Sequence, residues 1–499
     1  MKKVIIFLTV FFFSSIDNYA QLEDLTEPIN NYGGITDFSK SALIDSSELD
    51  SSITYLMNLY HIPGLAALIT TINNGIIWKR NYGSANIALN QPVEDSTIFK
   101  IASISKTFVA TAIMQFWEAD SFNLDDNIND YLEEFQVHIP NYENDTITFR
   151  MLLTHTSSIK DNSFLYNALI VHGDSPIPLD SFLINYFTPG GIYYDSTANF
   201  ITQPPGMIFE YSNMGVCVLA YLVEKFSGIS FDQYCHENIF EPLEMYKTSW
   251  FLTGMDTTTI ARPYFWNGFQ NIPYFHSGSP HYPAGQLRTN KIELEHYLAA
   301  YMNWGRYKGT TLLDSSTVDL MLTDQLGYLA NSGYQGLIWI KSADFNGRWP
   351  WGHTGGILGG ATGMFFKQEE GWGIICFMNS SSGSAVLLNI LNLLADHAQD
   401  VIGGIENKSN PVTHFYLEQN YPNPFNPTTV ISWQVAVGTH QTLIVYDLLG
   451  REIATLVDEY KSAGRYQAEF DAAALPAGIY FFQLKAGHYV DTKKMILIK

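Results

Sequence analysis

The chain has 499 residues, 46% hydrophobic and 14% aromatic, enough for two or three domains with a large core, which excludes a disordered protein. Lys and Arg number 27 against 49 Asp and Glu, a net charge of -22. So acidic a surface excludes nucleic acid as a partner, because phosphate binding needs clustered cations.

Residues 1–20, MKKVIIFLTVFFFSSIDNYA, carry Lys2 and Lys3, an apolar run from Val4 to Phe13 and a small residue, Ala20, at the end. This is the pattern of a secretory signal peptide; the run is short for a membrane anchor. Residues 21–45 are a polar, Asn/Gly-rich N-terminal lead-in. No later stretch is long and apolar enough to cross a bilayer.

From 46 to 401 the texture is that of one mixed domain. GLAALITTINNGIIWKRNYGSAN reads as a hairpin around Asn73-Asn74-Gly75. Next comes FKIASISKTF, in which Ser103 and Lys106 stand three apart at the head of a helix over 104–118 that is apolar almost all round. A serine at a helix start has a free backbone N–H and the positive dipole end beneath it. A lysine in an apolar wall loses its proton more easily, and its neutral amine can take the proton of a serine hydroxyl. A second Ser-x-x-Lys, Ser157 to Lys160, runs instead into polar loop residues, and His155 just before it reads as a loop-holding residue. Tyr193 and Tyr194, beside Gly190 and Gly191, either line a pocket or simply pack.

GMIFEYSNMGVCVLAYLVEKFSG puts Tyr211 and Asn213 just before an apolar helix over 213–227 closed by Gly228. Cys217 inside it and Cys376 further on read as small core residues, and with Cys235 they show no metal-ligand spacing. His276 and His281 fall in a loop, and a helix follows over 291–303. WGHTGGILGGATGMFF places His353, Thr354, Gly355 and Gly356 at the entry to a glycine-rich edge strand that another backbone can approach closely. Two strands, ATGMFFK and GWGIICFMN, and a helix with apolar residues at helical spacing close the domain. Strands at both ends with helices between predict an antiparallel sheet covered by helices.

Residues 402–420 form a polar linker. From 421 to 499 the pattern changes to short alternating strands between Gly, Pro and Asp turns, an all-β sandwich whose acidic and basic residues nearly balance. The acidity therefore belongs to the larger domain.

The three ordered motifs FKIASISKTF, YSN and HTGG, with IPGLAALI, ITFRMLLTHTSS and YPAGQLRT, give residues 46–401 a resemblance to the serine β-lactamase and penicillin-binding-protein superfamily, in its class C-like branch. The resemblance implies an α+β fold, an antiparallel sheet flanked by helices with an all-α subdomain. It implies Ser103 as the acylated nucleophile, Lys106 as the proton relay and Tyr211 as general base. Asn213 would orient Lys106 and the substrate amide, the backbone N–H groups of Ser103 and Gly356 would form the oxyanion hole, and Thr354 and Gly355 would bind substrate. No cofactor and no metal are implied. YPNPFNPTTVISW, LIVYDLLGREIATLV and LPAGIYFFQLKAGHYVDTKKMILIK resemble the C-terminal sorting domain of the type IX secretion system, an immunoglobulin-like sandwich over 421–499. That implies handling by the secretion machinery, then release or attachment at the cell surface.

One position departs from the family: lysine is usual where this chain has His353. A histidine with an ordinary pKa of about 6.5 is mostly neutral at pH 7 and offers no fixed charge to a substrate carboxylate. The expectation is therefore a secreted serine hydrolase acting on an ester or small amide or peptide. A D-alanyl peptidase, carboxypeptidase or β-lactamase stands as the alternative, and an inactive surface binding protein as a second. Activity on carboxylate-bearing substrates is expected to rise below about pH 6.5.

Overall fold

The computed structural model describes residues 46–329, 333–406, 415–435, 438–461, 464–487 and 489–498. The expected signal peptide (1–20) and lead-in (21–45) lie outside the described residues.

Helix α1 (Ser46–Leu59) buries Leu49, Ile53 and Met57, one stripe at four-residue spacing. Strands β1 (Gly64–Thr71) and β2 (Gly75–Asn86) form the expected hairpin, turning at Gly75 with φ 62°, which favours glycine. A 3-10 turn, Ala102–Ile104, leads into α2 (Ser105–Glu118), whose first ten residues are all buried. Helix α3 (Asn213–Ser227) starts at the cap Ser212, whose hydroxyl accepts from Gly215 N at 2.9 Å, and ends at left-handed Gly228. Helix α4 (Lys291–Met302) precedes the meander β3 (Trp351–Ile357), β4 (Gly360–Lys367) and β5 (Trp372–Met378), and α5 (Leu387–Glu406) follows.

These strands sit in one nine-stranded sheet whose middle runs β3-β4-β5-β1-β2, every pairing antiparallel. The joint between the first and last strands of this sheet is the β1–β5 ladder, from Leu65 opposite Met378 to Thr71 opposite Trp372. Every residue of β1 and β5 is buried, so both faces are covered. On one face Gly373 meets Leu298 and Met302 of α4. The other face carries the Gly363–Cys376 pair, where Gly363 meets Leu391 of α5. Helices α2 and α3 are buried nearly all round in the same core. The three cysteines are free and buried. No single helix among the described residues is long and apolar enough to cross a membrane.

Helix α5 continues to Glu406, beyond the expected end at 401. Tyr416–Leu417 then pairs with β6 (Thr428–Val435). The other strands are β7 (Thr439–Tyr446), β8 (Glu452–Lys461), β9 (Gly464–Asp471), β10 (Gly478–Ala486) and β11 (Tyr489–Leu497). They form a three-stranded sheet, Tyr416–Leu417 with β6 and β9, and a four-stranded sheet ordered β8-β7-β10-β11. Their inward residues, among them Trp433, Val445, Phe482 and Leu484, make a second core. Strand β8 was not expected from the sequence. It lies at the edge of its sheet with no fully buried residue, so no alternation marks it.

Candidate active site

Ser103 is presented by a short strand and a strained turn. Phe99–Lys100 pairs with Arg288–Thr289, and Ala102 then takes φ 49°, the left-handed region that residues with a Cβ enter at a cost. Thr362 of β4 donates from its hydroxyl to Ile101 O at 2.9 Å, tying the turn to the sheet. Ser103 is left half-buried at the head of α2.

Lys106 lies one turn further on with no exposed surface. Its Nζ is 3.0 Å from Ser103 Oγ and donates to Ala284 O at 2.6 Å. Burial pulls its pKa from the ordinary lysine range down to about 7, against a smaller opposing pull from the Asp161 charge. That equals roughly 5 kcal/mol of net destabilisation of the ammonium, at about 1.4 kcal/mol per pH unit. The amine proposed from sequence as a proton acceptor is therefore available near neutral pH.

Tyr211 covers this amine, its ring centroid 5.0 Å from Lys106 Nζ. Behind it lies His155, ring to ring at 4.5 Å. His155 is buried, accepts from Ser212 N through Nδ1 at 3.2 Å, and is held neutral by burial and then by Lys106. It thus positions the segment that carries Tyr211 and Asn213, the loop-holding role read from sequence.

Asn213 opens α3, and its amide donates to Asp161 Oδ2 at 2.5 Å. The same carboxylate accepts from Asn213 N at 3.1 Å and Met214 N at 3.0 Å, capping the helix. Burial pushes the Asp161 carboxyl up, while these bonds and Lys106 pull it down. Asn213 thus reaches Lys106 through Asp161, whereas the bonds of Lys106 itself go to Ser103 and Ala284.

Strand β3 forms the opposite wall. Trp351 and Gly352 pair on both sides, but from His353 to Ile357 only β4 is paired, so the expected edge strand is an edge over its second half. A Cβ on Gly355 would collide with Ile101 O and Thr362 Oγ1, which explains glycine where the strand lies against the turn that carries Ser103. Gly356 is exposed and Thr354 half-buried.

His353 is 3% exposed, with its ring 6.4 Å from that of Tyr211. Its Nδ1 lies 2.6 Å from Thr354 O, which assigns the proton to Nδ1, while Nε2 is buried without a hydrogen-bond partner. Burial and then Lys106 lower its pKa to about 4. The pH window expected near 6.5 accordingly moves down to about 4, because an imidazolium here would be both desolvated and beside a cation.

The remaining candidates are structural. Ser157 and Lys160 lie in a loop ahead of a short helix, Ser163–Ala168, that buries no residue; Lys160 N donates to Asn199 O and Lys160 O accepts from Tyr186. Tyr193 packs on Phe182 and Tyr194 on Phe200. His281, buried and stacked on Tyr166 at 4.1 Å, begins the turn that offers Ala284 O to Lys106. Asp161 and the Ala284 carbonyl went unnoticed in the sequence. The first follows the discounted Lys160, and a backbone oxygen leaves no residue-type signal.

A family model described as Beta-lactamase matches residues 49–397, and one described as Secretion system C-terminal sorting domain matches residues 419–499. Protein flp of Staphylococcus aureus (strain NCTC 8325 / PS 47) is 24% identical over 388 residues, 77% of this chain and 71% of that relative. Among solved structures, the octameric penicillin-binding protein homologue from Pyrococcus abyssi aligns at TM-score 0.60 and 20% identity, over 90% of this chain and 100% of that one. EstCE1, described as a hydrolase with promiscuous acyltransferase activity, aligns at TM-score 0.56 and 15% identity, over 71% of this chain and 98% of that one. At these identities the two solved structures show a shared fold.

Proposed function

The chain belongs to the beta-lactamase family, and from that premise we propose that it is an exported serine hydrolase cleaving an ester or small amide through an acyl-enzyme on Ser103. The observation that carries this reading is the fully buried Lys106 amine 3.0 Å from the Ser103 hydroxyl.

In this reading the neutral Lys106 amine receives the Ser103 proton as Oγ bonds to the substrate carbonyl carbon. The oxyanion that forms is held by the N–H groups of Ser103 and Gly356, where losing one donor costs about 10²–10³ in rate. Collapse breaks the bond to the leaving alcohol or amine, which takes the proton back from Lys106. Tyr211 then activates the water that releases the acid and restores Ser103. Thr354 and Gly355 line the strand along which the substrate lies.

The neutral, buried His353 favours substrates without a carboxylate, since binding one there would need a charge the imidazole lacks above about pH 4. The penicillin-binding name of the Pyrococcus abyssi relative favours the second reading, a D-alanyl peptidase or β-lactamase. Rates on nitrophenyl butyrate, a D-alanyl peptide and nitrocefin, measured side by side, separate the two. Ser103→Ala is expected to lower ester turnover by at least about 10³-fold; full turnover by that variant would remove Ser103 as the nucleophile, and absence of wild-type labelling by a fluorophosphonate would leave only a binding role.

A further inference from the structure

Beside the turn that carries Ser103, two basic side chains converge where, among the described residues, no carboxylate pairs them. Lys100 and Arg288 are directly opposite each other in the two-stranded ladder that leads to Ser103. Like charges facing across a ladder repel. Both nonetheless donate to one oxygen: Ser277 O receives Lys100 Nζ at 2.9 Å and an Arg288 Nη at 2.8 Å. The two nitrogens therefore lie no further apart than those bonds laid end to end, and burial, then the Arg288 charge, hold the Lys100 amine well below the ordinary lysine range, so that an anion would be needed to keep both charged.

Their other acceptors are also uncharged. Lys100 reaches Ser277 Oγ at 3.0 Å, and Arg288, 1% exposed, reaches Trp250 O at 2.7 Å and Gln286 O at 3.0 Å. Among the described residues no carboxylate forms an ion pair with either. Asp174 is near enough for its field to be felt, but its oxygens are taken by the backbone N–H groups of Leu252 and Thr253 and the Thr253 hydroxyl. His276 stands under the combined field of Lys100, Arg288, Arg262 and His172. In a chain with 27 basic and 49 acidic residues, such a gathering of cations around one carboxylate runs against composition.

Lys100, His276, Ser277, Arg288 and the turn after β3 line a cavity of about 30 Å³. That is room for one ion or about two waters. We propose that this cavity binds a single small monovalent anion, chloride or the carboxylate head of a small acid, between the Lys100 ammonium and the Arg288 guanidinium. The charge-assisted bonds would relieve the cross-strand repulsion. They would also brace together the two segments that carry Ser103 and Gly356, for Lys100 precedes the first and Ile357, also on the cavity wall, follows the second.

The test is thermal melting of the full chain in sodium chloride, sodium acetate and a bulky sulfonate buffer salt at equal ionic strength. Wild type is expected to melt about 2–4 °C higher, saturably, in chloride or acetate than in the sulfonate. A shift with chloride alone assigns a halide, and a shift with acetate alone or with both assigns carboxylate heads. Lys100→Met should erase the shift and melt in the sulfonate no lower than wild type, since one buried like charge is gone. Equal melting of wild type in all three salts, or an undiminished shift in Lys100→Met, overturns the site. Should that variant not fold, anomalous scattering from bromide-soaked wild-type crystals decides: a peak beside Lys100 Nζ and Arg288 supports the proposal and its absence overturns it.

Discussion

Lys106 carries opposite consequences for chemistry and for stability. Unfolded, it holds its proton up to about pH 10.4; folded, burial releases that proton near pH 7. Between these values the unfolded chain binds more protons, so this site's share of stability grows as pH rises through that window and is missing below about 7. Lys106→Met is therefore expected to melt above wild type at pH 6, with the gap closing by several kcal/mol toward pH 10, while ester turnover is lost throughout. A gap that stays constant with pH would show that the lysine is not desolvated. Wild-type kcat/KM on a neutral ester should climb through about pH 7 as the amine loses its proton. Asp161→Asn removes the negative charge that opposes this desolvation, so the climb should start at lower pH. At the opposite wall, His353→Lys is expected to raise kcat/KM on a D-alanyl peptide relative to nitrophenyl butyrate by about tenfold, as a charge-assisted bond worth about 1.5–3 kcal/mol allows.

At the scale of elements, β3 and the nucleophile turn act as one unit, fitted together at Gly355 and tied through Thr362. Gly355→Ala should push the strand off the turn. A loss of about 1–3 kcal/mol in a denaturant melt is expected from the overpacking, with ester turnover falling more than stability alone explains. The parts of the site carried by short spacings were legible in the sequence: Ser103 with Lys106, Tyr211 with Asn213, and His353 through Gly356. Ser103 and Lys106 lie about one turn apart at the head of α2, whereas Tyr211 sits in the loop before α3, and it, Asn213 and His353 through Gly356 were legible through the family resemblance. Asp161, the Ala284 carbonyl and the Lys100–Arg288 pair were not legible, because they meet the site only when loops return from distant sequence. The pKa of His353 was misjudged for the same reason, since its burial comes from elements far along the chain. Strand β8 escaped because an exposed edge strand needs no buried alternate face.

Among the described residues, the buried cluster around α2, α3 and one face of the large sheet shares no residue with the cluster inside the sandwich. Ester turnover should therefore survive removal of residues 415–499, while export should fail for want of the sorting domain; loss of both together would mean that the cores depend on one another. The large sheet has a temporal consequence as well. Because Leu65, paired with Tyr82 inside the hairpin, finds its second partner only at Met378, the hairpin waits for the last strand of its sheet. Until residue 378 has been made, one edge of that hairpin stays open to pairing with other chains.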